Sequence, residues 1–283
     1  MSLSPASIDI LSNLLLKKTG QKLTEDRAYR LVTALSPLAR QHNCATVDML
    51  VARLVGHEGS DLADAVVEAS LNNETYFFRD GLPFDLIDRK VLSKLRAARA
   101  SQRAIRIWCA GVSNGQEAYS LAMLFDEQRS DWQGWSIEIV ATDVSSAALD
   151  RARAGVYTHF EVQRGLSVER LLRYFEKRGN DWVIDPRLRE RIRFSQHNLL
   201  SAIPPLVRAD LVLCRNVLLY FSRETQGWAF NCLSKPLAAD GALVLGAGET
   251  VLGLTDRFMP DREAPGLYRP LPAGEAARLS DTG

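Results

Sequence analysis

Apolar residues recur at three- and four-residue intervals through the first seventy or so positions. Ile8, Leu11 and Leu15 form one stripe, and Leu31, Leu35 and Leu38 a second. Leu50 with Leu54, and Leu62 with Val66, continue the pattern, which is the spacing of amphipathic helices. Punctuation agrees: Ser4-Pro5 opens the first helix and Gly20 closes it, Thr24 and Thr46 precede the next two, Gly56 stops the third, and Ser60 or Asp61 opens a fourth. Short helices on short connections predict a small helical domain over residues 1–80. Its last stretch, NNETYFFRD from Asn72 to Asp80, follows neither the helical nor the strand period and reads as a shaped loop. Phe84, Ile87, Val91 and Leu95 then predict one more helix, and the basic stretch RAARASQR from Arg96 to Arg103 predicts a boundary. Residues 81–103 are read as a linker helix and boundary.

From Ile105 the pattern becomes strand alternating with helix. Strands are predicted at 105–109, 137–141 (running on to Asp143), 192–194, 210–214 and 242–245, and helices at 115–128, 147–154 and 224–237. This alternation predicts an α/β domain over 104–271, with a mostly parallel sheet covered by helices on both faces. Residues 157–190 are too long for a simple crossover and read as an inserted subdomain. The sequence RFMPDREAPGLYRPL predicts a terminal hairpin, and residues 272–283 a flexible tail.

Composition narrows the function. With 46% hydrophobic and 24% charged residues, the chain is globular rather than disordered. Lys plus Arg number 35 against 34 acidic residues, a balance that argues against nucleic acid as a partner. Cys44, Cys109, Cys214 and Cys232 are far apart, which removes a local zinc cluster and a disulfide framework and suggests a reducing compartment. His42, His57, His159 and His197 are scattered, so no metal site is expected. No apolar run approaches the ~18 residues of a membrane span, and the N-terminus lacks the charged region and cleavage site of a leader. The expectation is a cytoplasmic monomer without membrane insertion.

Three segments carry candidate chemistry. The first strand runs into Gly111 and Gly115 before a helix, where glycine lets backbone turn and approach a ligand closely. The spacing is not the dinucleotide fingerprint, and the alternative is an ordinary strand–helix turn. The second strand ends in Asp143, where nucleoside-binding α/β folds hold a ribose. It follows Gly111 by more than the ~20 residues usual for that unit, an excess the loop from Trp132 to Trp135 can absorb. Helix capping is the alternative for Asp143, although Ser145 and Ser146 can do that work. The fourth strand ends in CRNVLLYF, so Arg215, Asn216 and Tyr220 are candidates to face a ligand crevice, with Tyr220 as a core aromatic the alternative.

Together NNETYFFR, WCAGVSNGQEAYSLAM, VATDVSSAALDRARAGVY, FSQHNL and DLVLCRNVLLYF resemble, in order and spacing, the chemotaxis-receptor glutamate methyltransferases of CheR type. The resemblance runs to about Leu271. It implies a class I S-adenosylmethionine-dependent methyltransferase domain, Rossmann-like, with an inserted small β-subdomain, preceded by an all-helical domain. It further implies methyl transfer to glutamate side chains in the cytoplasmic domain of chemoreceptors, leaving S-adenosylhomocysteine. Residue by residue, it assigns catalysis to Arg79, as partner of the incoming carboxylate, and to Tyr220, beside the transferred methyl. Asn73, Thr75 and Arg79 would close over the amino-acid end of the cofactor, Gly111 and Gly115 form the turn, and Glu117 and Asp143 act as polar anchors, Asp143 on the ribose. Asn198 and Leu199 would flank the adenine, and Arg215 and Asn216 complete the pocket.

Departures from the family pattern bear on recognition. Val112, Asn114 and Ala118 differ within the glycine turn, while Gly111, Gly115, Glu117 and Tyr119 remain. The second helix keeps Arg30 but has Thr33, Ala34 and Ser36 where enteric members carry more arginines, so Arg30, assisted by Arg27 and Arg40, is the expected receptor contact. The loop EKRGNDWVIDP is shorter than that of members gripping a receptor's C-terminal pentapeptide, which implies pentapeptide-independent recognition. In ERLLRYFEKR, Leu172 and Phe175 are expected to be buried; Trp108 is expected in the core and His197 in a structural role. A glutamate nucleophile, with an unperturbed pKa near ~4.3, is already ionised at neutral pH and needs no general base. The competing readings are a class I methyltransferase with another acceptor and a non-catalytic module that binds the cofactor. The pairing of NNETYFFR with CRNVLLYF argues against the first, and the presence of Arg79 and Tyr220 against the second.

Overall fold

The computed structural model describes residues 3–57, 60–262 and 264–271; the tail expected at 272–283 lies outside the described residues. The chain forms two compact units. One gathers the residues up to Asn72 together with Tyr220–Thr225, and the other holds Asn73–Leu219 and the chain from Gln226 onward.

The first unit is built from α1 (Pro5–Thr19), α2 (Glu25–Gln41), α3 (Val47–Ala52) and α4 (Asp61–Ser70). Its punctuation is local chemistry. The Ser7 N–H donates to Ser4 Oγ ahead of Pro5, and Gly20 ends α1 at φ 74°. Thr46 accepts from the Met49 N–H, and Ser60, rather than Asp61, accepts from Ala63. Thr24 precedes α2 as expected but makes no capping bond. Leu11, Leu15, Leu35, Leu50, Leu54 and Val66 are buried together as this unit's core. Asp48 accepts from the Ser4 N–H and the Ser7 hydroxyl, fastening α3 to the start of α1.

The second unit begins with α5 (Leu82–Leu86), a π turn (Ile87–Leu92) and α6 (Ser93–Ala98). Phe84, Ile87, Val91 and Leu95 are all buried, as their spacing requires. There follow β1 (Ala104–Ala110), α7 (Gln116–Glu127), β2 (Ser136–Asp143) and α8 (Ser146–Ala154). The insertion holds β3 (Val156–Thr158), α9 (His159–Gln163), α10 (Val168–Tyr174), β4 (Phe175–Arg178), β5 (Asp181–Ile184) and α11 (Pro186–Arg189). The chain returns through β6 (Ile192–Gln196), β7 (Ala209–Cys214), α12 (Arg223–Ser234), β8 (Leu237–Leu245), β9 (Phe258–Pro260) and β10 (Leu267–Pro270).

The large sheet has the order β6-β2-β1-β7-β8-β10-β9. Its pairs are parallel from β6 to β8, and β10 runs antiparallel to both β8 and β9. From β1 the chain winds outward through β2 to β6, then crosses to the other side of β1 for β7 and β8. That reversal opens a crevice above the carboxyl ends of β1 and β7. The inserted strands form a separate antiparallel sheet, β3-β5-β4.

One side chain differs from the sequence reading, and another adds to it. Leu172 is 70% exposed on α10 while Phe175 is buried, because the helix ends at Tyr174 and Phe175 begins β4, so helical spacing no longer relates the two. Arg99, inside the basic stretch read as a boundary, is buried. It donates from Nε to Asp210 at 2.8 Å and from Nη1 to Asp240 at 2.6 Å, and these bonds push its pKa up despite burial.

Candidate functional site

The crevice side of β1 is shaped by backbone that few residues adopt. Gly111 (φ 81°), Ser113 (φ 53°) and Gly115 (φ 92°) are all left-handed in the turn between β1 and α7. A Cβ on Gly111 would stand 2.3 Å from Val217 Cγ2, and one on Gly115 would stand 2.8 Å from Ala152 Cβ. Glycine is therefore required at both for conformation and for close approach. Asp143 closes the turn from β2: Ser113 donates its N–H to Oδ2 at 2.7 Å, and Ser145 donates to Oδ1 at 2.9 Å. Ser145, not Asp143, caps α8, its Oγ accepting from the Ala148 N–H.

The segment from Asn73 to Asp80 rests on this turn. The Asn73 carbonyl accepts from Ser113 Oγ at 2.7 Å and from Asn114 Nδ2 at 3.2 Å, and Asn73 Nδ2 donates to Ser145 Oγ at 3.3 Å. Phe78 donates its N–H to the buried Ser120 Oγ at 2.9 Å. Phe78 and Asp80 both have positive φ. Arg79 donates from Nη1 to the Glu74 carbonyl at 3.0 Å. The insertion meets the same segment: Arg164 pairs with Glu74 at 2.9 Å and lies over the Tyr76 ring, and a Cβ on Gly165 would come within 1.8 Å of the Phe77 carbonyl oxygen. Thr75 is half-buried in the segment.

After β7 stands the buried Arg215. Its Nη1 donates to Glu117 Oε2 at 3.1 Å, and its Nη2 donates to Asp80 Oδ2 at 2.9 Å and to the Arg79 carbonyl at 2.7 Å. Burial pushes the Glu117 carboxyl above the usual carboxylate range, and Arg215 works against that shift. Asn216 follows at φ 58°. Its N–H, and those of Val217 and Leu218, donate to the Glu249 carboxylate at 2.8, 2.8 and 2.7 Å.

The structure thus brings Asn73, Arg79, Gly111, Gly115, Glu117, Asp143, Arg215 and Asn216 into one connected set. Asn198 and Leu199 follow β6: the Asn198 side chain accepts from the Leu200 N–H, and Leu199 is buried. His197 donates its N–H to the Asp143 carbonyl and meets the core residue Trp108 edge to face. Tyr220 belongs to the helical unit. Its hydroxyl accepts from Asn72 Nδ2 at 2.7 Å, its ring lies 4.7 Å from the Arg27 guanidinium, and its carbonyl accepts from the Lys22 N–H. Arg27 also donates to Gln21 and to the Lys22 and Ser70 carbonyls, so it serves its own unit, whereas Arg30 and Arg40 are exposed on α2. Sequence reasoning missed Ser113, Asp80 and Glu249. The first two lie inside quoted motifs; Glu249 has a local cue only in the glycines Gly246 and Gly248 beside it.

Two observations bear on whether this set fits S-adenosylmethionine. Of the six non-glycine residues with positive φ among the described residues, Phe78, Asp80, Ser113 and Asn216 lie here, and strain of this kind collects at ligand sites. The buried atoms Arg79 Nε, Gln116 Oε1, Arg215 Nε and Asn216 Oδ1 have no hydrogen-bond partner among the described residues, on the same segments that a polar amino-acid ligand would meet. The residues fit the cofactor.

Comparison with known proteins agrees. Residues 73–263 match the family described as CheR methyltransferase, SAM binding domain. The chain is 38% identical over 274 residues to chemotaxis protein methyltransferase 1 of Pseudomonas aeruginosa, covering 95% of this chain and 99% of that one. It is 36% identical to chemotaxis protein methyltransferase Cher2 of Pseudomonas putida, covering 89% and 92%, and 36% identical to chemotaxis protein methyltransferase 1 of Vibrio cholerae, covering 88% and 90%. With the α/β fold, the glycine turn and Asp143 in place, the chain belongs to the CheR family and is an S-adenosylmethionine-dependent methyltransferase of chemotaxis.

Proposed function

We propose that the acceptors are glutamate side chains in the cytoplasmic helices of chemoreceptors. The observation that carries this reading is the seating of the Asn73–Asp80 segment, with Arg79, directly on the Ser113–Asn114 turn. S-adenosylmethionine supplies, when bound, a methyl group on a sulfonium. Asp143 and Glu117 are suited to its hydroxyl and ammonium groups, Asn73, Thr75 and Asn216 to its amino-acid end, and Asn198 and Leu199 to its base. Arg79 offers a planar fork for the acceptor carboxylate. That carboxylate is ionised at neutral pH, so no protein group has to remove a proton, and the residues contribute alignment and charge complementarity. For Tyr220 we propose contact with the acceptor beside the methyl.

The test is methylation of a purified receptor cytoplasmic domain with methyl-labelled S-adenosylmethionine, followed by mild alkali. A carboxyl methyl ester releases labelled methanol. Label that resists alkali would mean another acceptor atom, and cofactor binding without label transfer would mean a regulatory module. Tyr220→Phe should bind cofactor as the native enzyme does and transfer methyl more slowly.

Recognition is proposed to run through the helical unit and the insertion, with Arg30 facing an acidic receptor surface and no need of a C-terminal pentapeptide. A solvated contact of this kind is worth about 0–1 kcal/mol and weakens with salt. Removing the last five receptor residues should leave the rate unchanged, while Arg30→Glu should lower it. A large loss on truncation would show that a tether is used.

A further inference from the structure

The Glu249 carboxylate is buried in the second unit with four backbone N–H groups aimed at it. Oε1 accepts from Val217 and Leu218, and Oε2 accepts from Asn216 and Gly246, all at 2.7–2.8 Å. Three of these amides are consecutive, so the chain after β7 curls into a nest of the kind that binds anions, and here a side chain of the same protein fills it. Glu249 returns its own N–H to the Gly246 carbonyl at 3.0 Å, which makes the clamp rigid on its own side. Gly246 permits the approach, since a Cβ there would lie 2.9 Å from Glu249 Oε2 and 3.0 Å from the Asn216 nitrogen.

The clamped turn does two things for the site. It holds Asn216 in its left-handed conformation, next to the buried Arg215 fork. It also presses Val217 against Gly111, the first glycine of the cofactor turn. Carboxylate-to-amide bonds are charge-assisted and roughly twice as strong as neutral ones, so this internal anion is well suited to hold a turn that the backbone alone would not keep.

We propose that Glu249 is a positioning residue for methyl transfer, an internal anion that sets the post-β7 turn and through it Asn216 and the Gly111 side of the cofactor pocket. The proposal rests on the methyltransfer reading above but is tested first on cofactor binding, which does not depend on the acceptor.

Glu249→Gln keeps the shape but turns an NH2 group toward N–H donors. It should weaken S-adenosylhomocysteine binding at least about tenfold by calorimetry. It should also lower the methyl-transfer rate by about 100-fold, the scale of a 1 Å misplacement in a reacting site. Glu249→Ala leaves the nest open, and a cavity of about 530 Å³ lined by Gly246, Glu249 and Tyr268 gives a small anion access. Formate or acetate should then restore affinity and rate several-fold in Glu249→Ala, while chloride at equal ionic strength should not. A merely structural carboxylate would show no such rescue. Circular dichroism confirms that each variant is folded; should Glu249→Ala not fold, Glu249→Asp is expected to lie between native and Glu249→Gln in affinity. Folded variants with native affinity and rate, or loss that formate and acetate leave untouched, would overturn the proposal. A native enzyme that binds cofactor but fails to label receptor would count against the acceptor reading alone.

Discussion

Ser113 donates its backbone N–H to Asp143 Oδ2 at 2.7 Å, joining the turn after β1 to the end of β2. Asp143 therefore serves the protein before any ligand arrives. Asp143→Asn should lower stability in the absence of cofactor by about 1–3 kcal/mol, because an amide cannot accept from both Ser113 and Ser145. Thermal melts without cofactor measure that effect, and calorimetry with S-adenosylhomocysteine should register a separate loss of affinity. A variant with a native melt and weakened binding would assign Asp143 to the ligand alone.

Arg99 and its two aspartates make a graded pair of mutants. Asp210 is only 5% exposed in its side chain, whereas Asp240 is 54% exposed. Arg99→Met takes the nearest cation from buried Asp210, which keeps the Arg106 N–H and the longer pair with Arg208 at 3.6 Å, and should cost about 3 kcal/mol. Asp240→Asn leaves Arg99 paired with Asp210 and should cost about 1 kcal/mol or less. Urea denaturation of both variants checks the ranking, and equal losses would refute it.

At Gly165 the close approach to the Phe77 carbonyl leaves no room for a methyl group, and φ is 88°. Gly165→Ala should destabilise by about 2–3 kcal/mol. Because the contact falls two residues before Arg79, the methyl-transfer rate should drop about tenfold or more in protein that is still folded. Rates at saturating cofactor test this, and a folded variant with native rate would separate the insertion from the Arg79 segment.

Two pH profiles are expected. An acceptor already ionised makes the single-turnover rate nearly flat between about pH 6 and 9, and a steep rise centred near 7 would reveal a general base. Stability has a different profile. Burial lowers the His197 pKa below its usual 6.5, so the unfolded chain takes up that proton first as the pH falls. The stability contributed by neutral His197 is present above about 6.5 and is lost as the pH falls toward the folded value. His197→Gln should flatten the pH dependence of the melting temperature as the pH falls below about 6.5, and an unchanged slope would contradict this.

Legibility in the sequence followed the range of each interaction. Helix limits set by Ser4, Gly20, Thr46 and Ser60 are local events, and so were readable. Gly111, Gly115 and Asp143 could be singled out in the sequence because strand ends mark where a ligand crevice lies. The burial of Arg99 left no sign in the sequence because its partners, Asp210 and Asp240, are strand residues far along the chain, and an ion pair leaves no periodic trace. Leu172 was misjudged because the end of α10 changes the geometry one residue before Phe175. Glu249 left only the cue of the neighbouring glycines, because its partners are backbone amides, which every residue carries except proline.

Tyr220–Thr225 cluster with a unit whose other residues end at Asn72, and that has a consequence for how such proteins diversify. Tyr220 is held by Asn72 and Arg27, and Phe221 bridges Gln21, so the helical unit is written in two separate stretches of gene. Recombination that exchanged only the amino-terminal stretch between relatives would pair foreign helices with a resident hexapeptide. A working chimaera needs both pieces from one parent, and drift at positions 21, 27 and 72 should be tied to drift at 220 and 221.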